Sequence, residues 1–302
     1  MSHLARIVRI LRGGLLFAAV LAAARAERLT IATYNVENYT AADRLTEAGY
    51  RKAYPKPEAE KAALRRVLRA LEADVLVLQE VGPRPYLDEL QRDLRGAGAD
   101  YPHAALIDGA DADRHVAVLS RQPFTAVVPH ADLDFAYFGV REPVKRGLIE
   151  VRVATAAGEL ALFGLHLKSR YTERADDPGS ALRRAGEATA IRDRILERFP
   201  DPARARFLIL GDCNDTPRSA AVRRFVKRGE TAVATPLPAA DARGETWTYA
   251  FRRDDSYARV DYVFVSAGLA AAVVGGTARI YDGDGTREAS DHRPVVVTLL
   301  LP

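Results

Sequence analysis

Polar side chains stand at the ends of several strand-like runs of this sequence. Buried strands read as short aliphatic runs, and four such runs, at residues 30–35, 74–80, 160–166 and 206–212, end in Asn35, Glu80, His166 and Asp212. Asp261 and the Asp291-His292 pair instead stand where strand-like runs begin. If these last strands are antiparallel to the others, all the groups gather at one edge of a sheet. Such a cluster is typical of metal-assisted phosphoester hydrolysis.

Hydrophobic periodicity predicts the elements that position these groups. Strands are predicted near residues 28–35, 74–80, 115–120, 147–154, 160–167, 206–212, 247–251, 259–265 and 293–301. Helices are predicted at residues 57–72, 86–94, 180–197 and 218–227. Ala156-Ala157-Gly158 indicates a hairpin between two of the strands. Hairpins combined with helical crossovers favour an α/β (α+β) fold in which two mixed sheets pack face to face with helices outside.

The N-terminal segment has the composition of a targeting signal. Arg6, Arg9 and Arg12 precede an uncharged stretch, which is followed by Ala24-Arg25-Ala26, a cleavage site of the A-x-A type. The stretch is shorter than the roughly 20 residues that span a bilayer. Residues 1–26 are therefore predicted to be a secretory signal peptide, with an uncleaved anchor as the alternative. We expect a secreted or periplasmic monomer with no stable membrane insertion after cleavage.

Composition limits the remaining function classes. Four of the 44 basic residues and none of the 40 acidic ones lie in residues 1–26, so residues 27–302 are formally neutral. A nucleic-acid role must therefore depend on local basic patches. No linker or repeat divides residues 27–302, which predicts one domain. The single cysteine, Cys213, excludes a disulfide scaffold or a thiolate zinc site within one chain.

Six ordered motifs carry a resemblance to a known family. They are Thr33-Tyr34-Asn35-Val36-Glu37-Asn38, Leu78-Gln79-Glu80-Val81, Gly164-Leu165-His166-Leu167, Gly211-Asp212-Cys213-Asn214, Val260-Asp261-Tyr262 and Ser290-Asp291-His292. From about Arg28 to the C-terminus, the chain resembles the endonuclease/exonuclease/phosphatase superfamily. Its members include pancreatic deoxyribonuclease, exonuclease III-type apurinic endonucleases, bacterial sphingomyelinases and inositol-polyphosphate 5-phosphatases. The resemblance implies a four-layer α/β sandwich of two packed mixed β-sheets flanked by helices.

The resemblance also implies a metal site. Mg²⁺ takes hard oxygen ligands, usually one or two carboxylates with waters and substrate phosphate. Glu80 is the foremost ligand candidate, Asn35 is similar to the asparagine that holds the site, and Asp291 is implied to approach from the opposite side. Glu37 is the weaker candidate because it lies two residues beyond a predicted strand end. The expected cofactor is Mg²⁺ or Mn²⁺, with Ca²⁺ as a further candidate.

The catalytic roles follow from the same resemblance. His292 is expected to act on the scissile phosphate, as general base or as a phosphate-binding imidazolium, with Asp261 as the partner that fixes its tautomer. Asp212 is the other candidate for the group that takes the proton of the attacking water. Asn214 and His166 are expected to donate hydrogen bonds to phosphoryl oxygens. Together these groups predict in-line attack of water on phosphorus.

The substrate class is left open between two kinds of phosphoesterase. Lys168 and Arg170 follow His166, while Arg141, Lys145 and Arg146 precede the neighbouring hairpin. Such a basic rim suits a nucleic-acid backbone and favours a nuclease acting on DNA or RNA. The neutral charge favours the alternative, a phosphatase or lipid-headgroup phosphodiesterase. Residues 39–56 are a candidate specificity loop, and Tyr171 and Tyr249 are candidates for stacking on a base.

A catalytically inactive binding protein with the same fold is the third hypothesis. It would require a gap among the catalytic positions, and none of these positions is missing. The P-loop, the H-E-x-x-H zinc motif and the G-x-S-x-G motif are all absent from the sequence. Their absence argues against nucleoside triphosphatase, zinc protease and α/β-hydrolase functions.

Overall fold

The computed structural model describes residues 26–46, 48–172 and 174–302. Apart from Ala26, the predicted signal peptide therefore lies outside the described residues. Strands in the first part of the chain are β1 (Glu27–Tyr39), β2 (Ala42–Thr46), β3 (Gly49–Tyr54), β4 (Val75–Val81), β5 (His103–Ile107), β6 (His115–Ser120), β7 (Phe124–His130), β8 (Asp134–Tyr137), β9 (Val140–Pro143), β10 (Leu148–Thr155) and β11 (Gly158–His166).

The second part contains ten shorter strands and most of the short helices. Its strands are β12 (Phe207–Asp212), β13 (Lys227–Arg228), β14 (Thr231–Ala232), β15 (Thr235–Pro236), β16 (Ala239–Ala240), β17 (Tyr249–Phe251), β18 (Ser256–Ala258), β19 (Asp261–Val265), β20 (Ala278–Ile280) and β21 (Val295–Leu301). The α-helices of the described residues are α1 (Glu58–Ala70), α2 (Arg84–Gly96), α3 (Ala181–Arg198), α4 (Ala220–Arg224) and α5 (Thr286–Ala289). Short 3₁₀ turns lie at Pro178–Ser180, Ala270–Ala272 and Val274–Gly276.

Two mixed sheets form the centre of the fold. The first sheet has the strand order β16-β20-β21-β1-β4-β6-β5, and the second has the order β15-β19-β12-β11-β10-β7. In the first sheet β1 is parallel to β4 and antiparallel to β21. In the second, β12 is parallel to β11 and antiparallel to β19. The four remaining strand pairs, β2–β3, β8–β9, β13–β14 and β17–β18, are separate hairpins.

Successive side chains of each central strand point to opposite faces of its sheet, and the fold therefore has four layers. Ile31 and Val77 of the first sheet pack with Val151 and Leu210 of the second in a fully buried cluster between the sheets. Their neighbours on the strands point to the opposite faces. Leu76 and Leu78 pack with residues of α1 and α2, while Phe163 and Ile209 pack with residues of α3 and α4. The predicted four-layer α/β sandwich is confirmed.

The structure differs from the sequence prediction in the length of one helix, in one predicted loop and in strands at the sheet edges. Helix α4 is half as long as the predicted helix at residues 218–227 because residues 227–228 begin a hairpin. Residues 39–56, predicted as a loop, contain the hairpin of β2 and β3. Strands β5 and β7 were not predicted, and both lie at sheet edges, where an apolar run is not required. No helix among the described residues is long and apolar enough to cross a membrane.

Candidate active site

Both sheets contribute residues to one edge of the sandwich. β1 and β4 deliver Asn35 and Glu80, while the parallel strands β11 and β12 deliver His166 and Asp212 at their carboxyl ends. β19 and β21 run in the opposite direction, so Asp261 at the start of β19 and the Asp291-His292 pair just before β21 reach the same edge. The antiparallel arrangement expected from the sequence is therefore present. These groups, with Asn214, are called the catalytic edge below.

Two shifts in strand register lie at the positions of Glu37 and Glu80 in the first sheet. The pairing of β1 with β4 shifts between Asn35 and Tyr39, and the pairing of β4 with β6 shifts between Gln79 and Val81. Glu37 and Glu80 have positive φ values of 47° and 64°, a conformation that costs free energy in a residue with a Cβ. The two strands therefore continue past Asn35 and Glu80, which lie at bulges rather than at strand ends.

Asn35 joins the two sheets at the catalytic edge. Its Nδ2 donates to Asp212 Oδ2 at 3.1 Å and to Glu80 Oε1 at 3.4 Å. Its Oδ1 accepts the backbone N–H of Glu37 at 3.0 Å. In this orientation the Asn35 side chain holds two acids through its amide nitrogen. The other oxygen of Glu80 accepts the backbone N–H of Asn38 at 2.9 Å.

His292 and Asp261 form a buried dyad. His292 Nδ1 lies 2.8 Å from Asp261 Oδ2, and its Nε2 lies 3.9 Å from both Asp212 Oδ2 and Asp291 Oδ1. The ring of Tyr249 packs over the imidazole with a centroid separation of 4.8 Å. Nε2 therefore faces the acids of the catalytic edge, while Nδ1 is fixed by Asp261, as expected for an oriented general acid or base.

Asp212 lies at the centre of the catalytic edge. Its Oδ1 accepts the backbone N–H of Asn214 at 2.7 Å, and His166 Nε2 lies 3.4 Å from its Oδ2. The Nδ2 of Asn214 donates to the carbonyl of Leu167 at 3.0 Å. Among the described residues, Nδ1 of the buried His166 and Oδ1 of Asp261 have no hydrogen-bond partner. Buried polar atoms of this kind are usual where substrate or water binds.

Charge and burial set the protonation states. Burial disfavours a charge on His292, but Asp261, Asp212 and Asp291 surround it and raise its pKa well above its ordinary value. Burial, Arg146 and His292 hold the pKa of His166 well below its ordinary value. Burial and the neighbouring Asp261 raise the pKa of Asp212, although His292 opposes them. The catalytic edge therefore combines an imidazolium, a neutral imidazole and a carboxyl group with increased basicity.

The acids of the first sheet have the chemistry of a divalent cation site. Burial and the proximity of Asp291 raise the pKa of Glu37. Burial raises the pKa of Asp291, with a further contribution from Glu80, although His292 and Arg252 oppose the shift. Glu37 Oε2 also accepts the backbone N–H of Asp291 at 3.1 Å. Crowded, part-buried carboxylates with oxygen donors fit Mg²⁺ or Mn²⁺, because a cation offsets their mutual repulsion.

A second group of possible ligands lies beside these acids. One ligand atom from each of Asp212, Asp261 and His292 lies within 4.8 Å of the other two. The 2.8 Å contact between His292 and Asp261 already uses one nitrogen of the ring. The sequence resemblance implies that this group serves proton transfer and phosphate binding and that Glu37, Glu80 and Asp291 hold the metal, which stays a prediction.

A basic pocket opens next to Glu80. Its cavity of about 700 Å³ is lined by Glu80 and by six cationic side chains, Arg114, Lys145, Arg146, Lys168, Arg174 and Arg183. These residues define the basic pocket. Of the predicted rim, Lys145, Arg146 and Lys168 line it. Arg170 is not among the lining residues, and its Nε lies 3.4 Å from the carbonyl of Asn214.

Arg141 does not belong to this site. It pairs with Asp134 across the β8–β9 hairpin and lines a different depression, beside α3. The prediction that Arg141 joins the basic rim is therefore wrong. The physical reason is the β8–β9 hairpin, which brings Arg141 to Asp134 and to the depression beside α3. Arg141 was grouped with Lys145 because the two are close in sequence, and the sequence did not predict the β8–β9 hairpin that separates them.

Three positioning residues were not predicted as site residues. The Thr248 hydroxyl accepts the backbone N–H of Asp261 at 3.0 Å, and the Ser290 hydroxyl donates to the carbonyl of Asn35 at 2.8 Å. Arg293 is buried beneath His292, where it pairs with Asp241 at 3.0 Å and stacks on Trp247 at 3.4 Å. Ser290 was visible as part of a motif. Thr248 and Arg293 carry no sequence signal, because their partners are distant in the chain.

The comparisons with known proteins agree with this architecture. Residues 32–292 match the Endonuclease/Exonuclease/phosphatase family. A search of curated proteins gave no match. Among solved structures, sphingomyelinase C from Streptomyces griseocarneus aligns with a TM-score of 0.63 at 18% identity, covering 90% of this chain and 99% of that chain.

Two further structures show the same fold. The endonuclease/exonuclease/phosphatase from Bacteroides vulgatus has a TM-score of 0.64 at 15% identity, covering 91% of this chain and 100% of that chain. The human nocturnin catalytic domain with bound sulfate has a TM-score of 0.61 at 16% identity, covering 90% and 92%. At these identities the likeness concerns the fold.

Proposed function

Because the chain belongs to the endonuclease/exonuclease/phosphatase family of phosphoesterases, we propose that it is a divalent-metal-dependent phosphodiester hydrolase that acts on DNA or RNA. The observation that carries the proposal is the catalytic edge. There, the His292–Asp261 dyad at 2.8 Å and the acid Asp212 lie beside crowded carboxylates suited to a cation. A phosphodiester offers the oxygen ligand and the developing charge that this arrangement can stabilise.

The residues have distinct roles in the proposed reaction. Asp212 accepts the proton of the attacking water, since its basicity is raised while its position is fixed by Asn35 and Asn214. His292 donates a hydrogen bond from Nε2 to a non-bridging oxygen, because Asp261 occupies Nδ1 and favours the charged ring.

Hydrolysis forms one bond and breaks one. The water oxygen bonds to phosphorus while the ester oxygen opposite leaves with its electron pair. His166, held neutral by its surroundings, donates a further hydrogen bond to the phosphate. A divalent cation held by Glu80, Glu37 and Asp291 would polarise the phosphoryl oxygens and stabilise the leaving alkoxide.

The basic pocket supports an anionic substrate. Six cationic side chains line it, and among the described residues Glu80 is the one acid in its lining. A quaternary ammonium headgroup binds over aromatic faces or acids. The pocket does contain Tyr137 and Tyr171, but Arg174 and Lys168 already lie over their rings, so the pocket favours a polyanion over phosphocholine. A phosphatase acting on a small polyphosphorylated compound is the second candidate function, because a cavity of about 700 Å³ also suits a small molecule.

A substrate panel tests the proposal. The protein is assayed with single- and double-stranded DNA, RNA, sphingomyelin, inositol phosphates and bis-p-nitrophenyl phosphate, each with Mg²⁺, Mn²⁺, Ca²⁺ or chelator. We expect metal-dependent cleavage of a nucleic acid and of the small diester. Release of phosphate or phosphocholine from a small substrate, with every nucleic acid left intact, would replace the nuclease proposal with the alternative.

Salt dependence separates the substrate classes further. If Lys168 and Arg170 contact the backbone, apparent KM for nucleic acid rises steeply with salt, by about 0.7–0.9 counterion per phosphate. The double change Lys168→Ala, Arg170→Ala is expected to flatten the logarithmic slope by about one to two units. The matched control is Arg84→Ala with Arg92→Ala, two exposed arginines of α2. An equal slope in all three proteins contradicts backbone contact.

We also propose that the protein is exported to the periplasm or the exterior. The proposal is supported by the arginine-flanked apolar segment and by Ala24-Arg25-Ala26. Mass spectrometry of the protein from its native host is expected to give Glu27 as the first residue. An intact N-terminus on protein recovered from the cytosol would contradict export.

A further inference from the structure

We propose that the basic pocket binds a second phosphoryl group, so that the enzyme selects substrates carrying a phosphomonoester close to the phosphodiester that is cleaved. This inference deepens the proposed phosphodiesterase function and rests on it. A terminal phosphate of a nucleic acid and the phosphate of a small nucleotide share this chemistry. The pocket directly adjoins the catalytic edge because Glu80 belongs to both.

The cations of the pocket converge from separate parts of the chain. Arg114 precedes β6, Lys145 and Arg146 precede β10, Lys168 follows β11, and Arg183 lies in the first turns of α3. Because these cations come from separate segments and line one cavity, they differ from a row of charges on the solvent-exposed face of a single element. Its volume of about 700 Å³ lies within the usual range for small-ligand sites.

A buried acid fixes two walls of the pocket. Glu187 of α3 is fully buried, and its carboxylate accepts the backbone N–H of Lys168 at 2.7 Å and that of Lys145 at 3.3 Å. Burial raises the pKa of Glu187, although these N–H groups and nearby arginines oppose the shift. A buried carboxylate that holds two cation-bearing loops is expected where the positions of those cations matter.

Nearby acids neutralise only part of the positive charge. Asp111 lies 2.9 Å from Arg146 and 3.9 Å from Lys145. Arg174 pairs with Asp176 at 2.7 Å, and Arg183 pairs with Glu142 at 3.0 Å.

Arg114 and Lys168 have neutral partners instead. Arg114 Nε donates to Asn38 Oδ1 at 2.7 Å, and Lys168 Nζ donates to Ser169 Oγ at 3.1 Å. Burial, together with the charges of Arg146 and Lys145, lowers the pKa of Lys168 to about 8. A bound dianion would relieve this repulsion among the cations.

Three matched dinucleotides test the proposal. TpT has one phosphodiester, while pTpT and TpTp carry an additional phosphomonoester at one end or the other. We expect kcat/KM for one of the phosphorylated forms to exceed that for TpT by about tenfold or more, the factor that one charge-assisted hydrogen bond supplies. Equal values for all three compounds would overturn the second-phosphate site.

A variant links the effect to the pocket. Lys145→Gln removes a part-exposed cation whose nearest acid is 3.9 Å away, so folding is expected to be retained. The ratio of kcat/KM for the preferred phosphorylated dinucleotide to that for TpT should fall at least about threefold. The control Arg92→Gln, on an exposed part of α2, should keep the wild-type ratio. An unchanged ratio in Lys145→Gln would overturn the assignment.

A binding measurement separates this inference from the proposed function. Inorganic pyrophosphate is titrated calorimetrically into the protein in excess chelator, where the acids of the catalytic edge repel anions. We expect binding that is weaker in Lys145→Gln than in wild type and Arg92→Gln. Binding without hydrolysis of any dinucleotide would refute the phosphodiesterase proposal alone. Hydrolysis without pyrophosphate binding would refute the second-phosphate site alone.

The source of the phosphate is decided with a longer substrate. A 20-nucleotide DNA is compared with and without a phosphate at the end that is preferred in the dinucleotides. Faster cleavage of the phosphorylated 20-mer supports the site and assigns it to nucleic-acid ends. If the terminal phosphate accelerates cleavage of the dinucleotide but not of the 20-mer, the second-phosphate site is supported and is assigned to small nucleotides.

Discussion

The catalytic edge and the basic pocket adjoin at Glu80 but are built differently. At the catalytic edge, Asp212, His166 and His292 are nearly inaccessible to solvent and are positioned by strands of both sheets. In the basic pocket, the cations come mainly from loops, and Lys145 and Arg174 keep 39% and 46% of their side chains exposed. One region is therefore buried and built from strands, whereas the other is more exposed and built mainly from loops.

This difference suggests separate roles: the catalytic edge performs the reaction and the basic pocket selects the substrate. Groups fixed on strands can stabilise a transition state without reorganisation, so changes at the catalytic edge should lower turnover of every substrate. In the proposed complex the cations of the basic pocket contact a part of the substrate beside the reacting phosphate, so changes in the basic pocket should alter the preference among substrates. The predictions below test that division.

The largest effect is expected at the dyad. His292→Ala removes the imidazolium and should lower kcat about 10²- to 10⁴-fold on any diester. Asp261→Asn keeps the ring but removes its orienting acid, and should lower kcat about 10- to 100-fold. His103→Ala, at the far strand β5, is the control and should be fully active. Wild-type activity of Asp261→Asn alongside an inactive His292→Ala would show that the dyad is wrongly assigned.

A smaller effect is expected from the support beneath the catalytic edge. Arg293→Met removes the guanidinium that pairs with Asp241 and donates from Nε to the carbonyl of Trp247, the residue before Thr248. We expect kcat to fall about tenfold and the urea midpoint of unfolding to decrease, with little change in preference among substrates. Adding Asp241→Asn should recover part of the stability. If Arg293→Met changed only the preference among substrates and left kcat unaltered, the proposed separation of roles between the two regions would be wrong.

The smallest effect concerns pH. Lys168 is cationic below its pKa of about 8 and neutral above it. Its contribution to anion binding should therefore be present at neutral pH and disappear as the pH rises through 8. Apparent KM for phosphorylated substrates should increase about three- to fivefold between pH 7 and pH 9, because the neutral amine still donates a hydrogen bond, whereas Lys168→Arg should show no such increase. A rise that persists in Lys168→Arg would assign the titration to another group.

The fold and the catalytic edge were accessible from the sequence. The apolar runs that lead to Asn35, Glu80, His166 and Asp212 mark real strands, because strands buried between two layers are rich in apolar residues and the polar groups follow them. The antiparallel direction of β19 and β21 was a condition of that prediction, and the structure meets it. Motif order then identified the family.

The bulges and the basic pocket were not accessible. Positive φ at Glu80 depends on the register between β4 and β6, which no local pattern records. Arg114 and Arg183 are 69 positions apart in the sequence and meet only because the two sheets pack together. Arg141 shows the converse, since it is near Lys145 in sequence but lies in a different depression.

Metal dependence at Glu80 is the most direct test of the central claim. Hydrolysis of bis-p-nitrophenyl phosphate is measured for wild type, Glu80→Gln and the exposed control Glu230→Gln, with Mg²⁺, in excess chelator, and after Mg²⁺ is restored. We predict that wild type and Glu230→Gln lose activity in chelator and regain it with Mg²⁺. Folded Glu80→Gln should be slower by orders of magnitude throughout. Full activity in chelator, or in Glu80→Gln, would contradict metal-dependent phosphodiester hydrolysis at this edge.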